Sequence, residues 1–140
     1  MQRGTVVLAV AAALIAGCNA PEIVTTLDRN FRLGVGRQAV MPTERVEVGF
    51  DRVISDSRCA EGATCVWAGE SQLAMWLGRE GGGDRQAFEV KLPAVAKTDS
   101  ATAVDVGDYR VNVFRLTPYP KLDVPTDTTA YVVELRVTRR

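Results

Sequence analysis

The sequence predicts an all-β protein, a single antiparallel β-sandwich of the immunoglobulin-like type. Short segments in which apolar and polar residues alternate recur along the chain, as expected of strands with one buried face. Glycine, proline and aspartate clusters separate these segments. The last two strong strands are divided by a proline-rich loop at 117–127 and not by a tight turn, which favours the immunoglobulin-like type. A small β-barrel is the alternative fold.

About seven segments have strand character in the mature part of the chain, one of which has two parts, 64–67 and 70–77. Val46, Val48 and Phe50 share one face of the second segment, and the phase then shifts to Val53, which predicts a β-bulge. Pro42 interrupts the stretch 36–43, which we expect to be a loop. The segments are residues 31–35, 45–53, 64–67, 70–77, 87–92, 104–106, 109–116 and 130–137.

The amino terminus has the features of an export signal. Arg3 precedes the apolar run 6–17, which is too short for a mature membrane-spanning helix but has the length of a secretory signal peptide. Residues 14–18, Leu-Ile-Ala-Gly-Cys, resemble the lipobox of bacterial lipoproteins. The resemblance implies that 1–17 are removed and that acyl chains on Cys18 anchor the protein to a membrane. An ordinary signal peptide with an incidental cysteine is the alternative.

The lipobox also implies a location and a domain plan. Asn19, and not an aspartate, follows the cysteine, which favours the outer membrane facing the periplasm, with the inner membrane or the cell surface as alternatives. Residues 18–29 are expected to be a tether, and 30–140 the sandwich domain. The chain has 140 residues, which suits one such domain after a signal peptide.

Composition excludes several classes of function. Seventeen basic and seventeen acidic residues give a net charge of zero, so we expect no broad basic surface for nucleic acid. The absence of histidine removes the Ser-His-Asp triad, the Cys-His pair and imidazole-bound zinc. Loop carboxylates are too sparse for a calcium site. We therefore expect neither an enzyme nor a bound metal or other cofactor.

Cys59 and Cys65 lie close together, with five residues between them. Two thiols this close in an exported protein are expected to form a disulfide, which would stabilise the fold by roughly 2–3 kcal/mol. Zinc would need two further soft ligands, and a thioredoxin-like site needs two intervening residues. Since Cys18 is expected to be lipidated, no cysteine is left over.

Residues 56–69 surround this pair and contain the runs Asp-Ser-Arg-Cys and Cys-Val-Trp-Ala-Gly. The stretch resembles a DSRCP…CVWAG motif of an uncharacterised family of small bacterial lipoproteins and secreted proteins. Ala60 stands where that motif usually has proline. The resemblance implies a β-rich domain but no known activity.

Five residues are candidates for binding: Arg58, Glu61, Trp67, Trp76 and Tyr119. Trp67 can serve as a binding anchor on a disulfide-closed loop, but the immunoglobulin-like fold favours a tryptophan packed against the disulfide in the core. Trp76 lies on the strand face opposite the core residues, either in an exposed patch or packed beneath a loop. Tyr119 stands between two prolines, on a rigid binding loop or an ordinary connector.

The two charged candidates flank the first cysteine. Arg58 can pair with Glu70 across the base of the loop, or it can remain a solvated charge. An inhibitory loop would instead require Arg58 or Glu61 to point outward into a target.

Three function hypotheses follow from these features. The first is an accessory module, structural or binding an envelope protein. The second is an inhibitor of a periplasmic or host hydrolase that inserts the Cys59–Cys65 loop into an active site. The third is a carboxylate-based small-ligand site or hydrolase, which requires a concave pocket with two facing acidic residues.

Overall fold

A computed structural model describes residues 22–94 and 101–140, which form nine strands and no helix. The expected signal peptide and Cys18 lie outside the described residues. No helix in the described part of the chain is long and apolar enough to cross a membrane. The strands are β1 (Ile23–Val24), β2 (Phe31–Gly34), β3 (Arg37–Met41), β4 (Val46–Asp56), β5 (Glu70–Arg79), β6 (Gly83–Pro93), β7 (Thr102–Val106), β8 (Tyr109–Thr117) and β9 (Val132–Arg139).

The strands form two sheets, which confirms the predicted β-sandwich. One sheet has the order β1-β3-β4-β5-β6 and the other the order β2-β9-β8-β7. All described strand pairs are antiparallel except β1 with β3. No pairing between the sheets closes a barrel among the described strands. Immunoglobulin domains order their strands ABED and CFG, so the likeness holds for the two-layer packing and not for the strand order.

The core lies between the two sheets. Alternate residues of each strand face inward, as the two-residue period of a strand requires. Phe50 is fully buried, and burial of such a side chain contributes about 1.5–3 kcal/mol. The five-stranded sheet also contributes Val48, Leu73, Met75 and Val90, and the four-stranded sheet contributes Leu33, Val111, Val113, Leu116, Val133, Leu135 and Val137.

The bulge predicted after Phe50 is confirmed. Phe50 pairs with Met75, but the next pair is Arg52 with Ala74, so one residue of β4 is extra at this point. A second register shift follows between Val53 and Ser55. These bulges change the face on which the end of β4 presents its side chains.

Two local predictions are wrong. The stretch 36–43 contains β3, whose residues Ala39, Val40 and Met41 are all buried, so it lacks the alternation that reveals a strand. Residues 64–67 form no strand, since pairing with the next strand begins only at Glu70. The β-branched and aromatic residues of that stretch have high β-propensity, but the stretch does not pair with another strand in the fold.

The domain also begins earlier than predicted. Within the expected tether, Ile23 and Val24 pair with β3, and Leu27 packs against the core. The Asp28 amide donates a hydrogen bond to the carbonyl oxygen of Val137 at 2.9 Å. Residues 22–29 are therefore part of the sandwich.

Candidate functional site

The loop between β4 and β5, residues 57–69 and here called the cysteine loop, is closed by the predicted disulfide. The Cys59 and Cys65 sulfurs are bonded, and their Cα atoms lie 5.9 Å apart. At the base of the loop, the Cys59 amide donates to the carbonyl oxygen of Ala68 at 2.8 Å. Gly69 then turns the chain with a φ of 79°, a conformation that favours glycine. The loop is therefore held at both its tip and its base.

A second loop is joined to it by backbone hydrogen bonds. Residues 118–131, here called the proline loop, connect β8 to β9. The Glu61 amide donates to the Pro120 carbonyl oxygen at 2.9 Å, and the Leu122 amide donates to the Glu61 carbonyl oxygen at 3.0 Å. The two loops thus form one unit, which we call the loop end of the sandwich.

Arg58 lies buried beneath this unit, with 7% of its surface exposed. Its guanidinium donates two hydrogen bonds to the Asp56 carboxylate, at 2.7 Å from Nε and 2.6 Å from Nη2. Nη1 donates to the Leu116 carbonyl oxygen at 2.8 Å, and Nη2 also donates to the Pro118 carbonyl oxygen at 3.0 Å. The expectations that Arg58 pairs with Glu70 or remains solvated are both wrong, because these groups bind its planar fork inside the fold.

Asp56 and Tyr131 complete the network. The Tyr131 hydroxyl donates to Asp56 at 2.8 Å. Burial opposes the charge of Asp56, but the hydrogen bonds from Arg58 and Tyr131 and the positive charge of Arg58 outweigh it, so its pKa falls below the ordinary value. Burial, with the adjacent Asp56 carboxylate, raises the pKa of Tyr131. The network is therefore an ion pair with a neutral phenol as its third member.

Part of the surface of the loop end is apolar, although a charged pair lies beneath it. Val66 is fully exposed, and Trp67 has 65% of its surface exposed. In the proline loop, Leu122 and Val124 are also exposed, by 50% and 58%. We call these four residues the loop patch. The favoured expectation that Trp67 packs on the disulfide in the core is wrong, because the strand that would turn it inward does not form.

Tyr119 and Glu61 also lie at the loop end. The Tyr119 ring is half-buried, with its centroid 4.9 Å from the Arg58 guanidinium carbon, so it covers the buried charge. The Glu61 side chain is exposed, while its backbone joins the two loops. Four of the five candidates therefore meet here: Arg58 and Tyr119 as supports, and Glu61 and Trp67 at the surface.

Trp76 is the candidate that lies elsewhere. It is 8% exposed and lies on the outer face of the five-stranded sheet, with the Arg85 guanidinium carbon 3.8 Å from its ring centroid. Gly49 is its cross-strand partner, and a β-carbon at Gly49 would overlap the indole. An exposed patch at Trp76 is therefore wrong, and its cover is an arginine side chain rather than a loop. The paired glycine is the sequence signal for this burial.

No group of three or more metal-binding side chains occurs among residues 22–94 and 101–140. No protein-family model matches the chain, and no curated protein or solved structure shows a significant similarity to it. The resemblance of 56–69 to the motif of a small lipoprotein family stays a prediction. What the loop end can do therefore follows from its own geometry and charge.

Proposed function

We propose that this chain is a lipid-anchored accessory protein of the bacterial envelope that binds another protein through its loop end, and that it is not an enzyme. The exposure of Val66 and Trp67 on a disulfide-closed loop carries the proposal. An exposed tryptophan on a rigid support buries a large area on binding at little cost in conformational entropy.

The supports of the loop end make it a pre-formed surface. Arg58 binds carbonyl groups on β8 and the proline loop, so it fixes the proline loop against the base of the cysteine loop. The backbone bonds of Glu61 join the tips of the same two loops. A surface held in this way loses little freedom when a partner binds.

Charge favours a protein partner over an anionic lipid surface. The exposed charged residues of the two loops are Glu61, Lys121, Asp123 and Asp127, three acidic and one basic. Membrane-docking loops usually combine apolar tips with basic residues, because anionic headgroups attract them. The acidic excess here opposes such a headgroup layer. The membrane attachment in this proposal comes from Cys18 alone.

The test compares Trp67→Ala with Val24→Ala as baits for capture from cross-linked envelope. Val24 is a matched control, because it is 69% exposed but lies on β1, outside both loops. We expect the wild-type chain and Val24→Ala to capture the same partner, and Trp67→Ala to capture at least tenfold less of it. Equal capture by all three chains, or by none, would contradict the proposal.

A second function, inhibition of a hydrolase by the cysteine loop, is favoured by the exposure of residues 64–68 on a disulfide-closed tip. The outward Glu61 meets its requirement, whereas the buried Arg58 cannot contact a target. If the captured partner is a hydrolase, its activity should fall when the chain is added. It should recover when Cys59→Ser/Cys65→Ser replaces the wild-type chain. Unchanged activity would exclude this function.

A further inference from the structure

A groove opens at the end of the sandwich opposite the loops. Its volume is about 810 Å³, within the range of roughly 300–1,000 Å³ typical of ligand sites. It lies where the two sheets separate, between the turn that precedes β4, the β5–β6 hairpin and the β7–β8 turn. We call this the groove end. The 11 residues of β4 separate it from the loop end by roughly 30 Å.

The floor of the groove is apolar. Val46, Leu77 and Val106 line it and keep only 5–7% of their surface exposed. Tyr109 lines it as well and is half-buried. These side chains are the ends of the core, so the floor is shaped by the sandwich itself and suits apolar groups of a ligand.

The rim of the groove carries charges of both signs, of which some already have partners. The Arg85 guanidinium stacks on Trp76, and its Nη2 lies 3.7 Å from Oε2 of the buried Glu47. Arg79 lies 3.9 Å from Asp84, and both side chains are exposed. These side chains already interact with other side chains of the protein.

Other rim groups have no such partner. Within residues 22–94 and 101–140, the side chains of Arg45, Glu80 and Asp108 have no ion pair or hydrogen bond. Glu44 also lines the groove, and its Oε2 atom is buried with no hydrogen-bond donor in the described residues. Among the described residues, the groove thus offers the cation of Arg45 and the carboxylates of Glu44, Glu80 and Asp108 without partners, above an apolar floor.

Backbone hydrogen bonds anchor the turns that carry these unpaired groups. The Glu80 amide donates to the carbonyl oxygen of Arg45 at 2.9 Å, which joins the turn before β4 to the hairpin. The Arg140 amide donates to the carbonyl oxygen of Asp108 at 3.0 Å, which fixes the β7–β8 turn. Their side chains therefore extend from anchored turns, as a selective site requires.

We infer that this groove binds a short peptide that has free termini and apolar side chains. The Arg45 guanidinium is suited to the terminal carboxylate, because its fork matches a carboxylate in a two-bond pair. The carboxylates of Glu80 and Asp108 are suited to the terminal ammonium, and Glu44, which lines the same groove, has unfilled acceptor capacity. Apolar side chains of the peptide lie on Val46, Leu77 and Val106. This site is independent of partner binding at the loop end.

The probes are three forms of the tripeptide Ala-Leu-Ala: free at both ends, acetylated at the amino terminus, and amidated at the carboxyl terminus. Binding to the full chain is followed by chemical shift perturbation and by calorimetry. We expect the free form to saturate the groove residues at millimolar concentration or below. Each cap should weaken binding about tenfold, because it removes one charge-assisted interaction.

Variants assign each terminus to its partner. Arg45→Gln should abolish the difference between the free and amidated forms, and Arg45→Lys should retain part of it. Glu80→Gln with Asp108→Asn should abolish the difference between the free and acetylated forms. Lys121→Gln and Asp123→Asn, matched charge changes at the loop end, should leave both differences intact.

Three results would overturn the inference. The first is the absence of a saturable chemical shift change with the free tripeptide up to roughly 10 mM, because a weaker dissociation constant would not indicate a specific site. The second is equal binding of all three forms, which would mean apolar adsorption only. The third is loss of the end preferences in Lys121→Gln or Asp123→Asn, or shifts confined to the loops, which would place the binding elsewhere.

Discussion

The two ends of this sandwich distribute polar and apolar groups in opposite ways. At the loop end, Arg58 is buried against the largely covered Asp56, and the large apolar Trp67 is exposed. At the groove end, Val46 and Leu77 form a covered floor, and the charges that line the groove lie on its rim. An exposed apolar surface is expected where a macromolecule docks, and a concave apolar floor where a small ligand does. One core therefore supports two surfaces suited to different ligands.

The ends also differ in what holds them. The groove end is the continuation of paired strands and three short turns. The loop end has little strand pairing and depends on a disulfide and on side-chain bonds to carbonyl groups. Single substitutions should consequently cost more at the loop end, and the predictions that follow measure this difference.

The largest effect is expected from Arg58→Ala. It leaves the largely covered Asp56 carboxylate without its partner and frees the carbonyl oxygens of Leu116 and Pro118, so we expect a loss of about 3–5 kcal/mol in the free energy of unfolding. Urea denaturation of both chains measures it. Arg79→Ala, which removes an exposed ion pair at the groove end, should give no measurable change. Similar losses in both variants would mean that the two ends do not differ.

A glycine at each end sharpens the comparison. Gly69 and Gly81 both have positive φ, but a β-carbon at Gly69 would overlap the Ser57 carbonyl, whereas nothing lies within 4 Å of one at Gly81. We expect Gly69→Ala to cost about 2–4 kcal/mol, from steric overlap added to backbone strain. Gly81→Ala should cost about 1 kcal/mol, from strain alone. Equal thermal unfolding midpoints for Gly69→Ala and Gly81→Ala would show that the backbone at the base of the cysteine loop can shift to accommodate a β-carbon.

Removal of the disulfide should have a smaller effect. Cys59→Ser/Cys65→Ser opens a loop with a sequence separation of 6, for which the loop-closure model gives a loss of about 2–3 kcal/mol. The sheet pairing should persist, because Cys59 and Cys65 lie outside every strand. Amide hydrogen exchange should therefore increase in 57–69 and stay unchanged in β8 and β9. Faster exchange across the four-stranded sheet would show that the disulfide supports the whole fold.

Acid should weaken the loop end through Asp56. The pKa of Asp56 is lowered in the folded state, so its ionised form stabilises the fold above the unfolded-state pKa, and this stability is lost as the pH falls through the folded-state pKa. Asp56→Asn should remove this contribution, so that the free energy of unfolding falls less as the pH is lowered, that is, the acid limb of its pH dependence becomes flatter. The pKa of Asp105, on the surface, is also lowered, by its pair with Arg110. Asp105→Asn should therefore flatten the limb less, since solvent screens that pair.

Alternation of apolar residues predicted the strands that have one covered face, as in β8 and β9. It missed β3, where Ala39, Val40 and Met41 are all covered and no alternation remains. The disulfide followed from cysteine spacing and the expected export. These are local properties, and a sequence displays them directly.

The candidate site was less predictable because its contacts are distant in sequence. Arg58 binds Leu116 and Pro118, which are 58 and 60 residues further along the chain. Its burial could not follow from the composition of its own loop. Trp67 has strong β-propensity, but its segment has no neighbouring strand to pair with. The groove combines three turns that no local pattern connects.

If Cys18 is lipidated as proposed, the early start of β1 limits how far the sandwich can extend from its anchor. Under the proposed lipidation of Cys18, four residues lie between the anchor and Ile23, and these five residue steps span at most roughly 18 Å when fully extended. The sandwich would then stay close to the bilayer surface and could not extend far into the surrounding compartment. Soluble ligands would have to diffuse to the membrane surface. The anchored chain would meet other anchored molecules more often, because both are confined to the same thin layer.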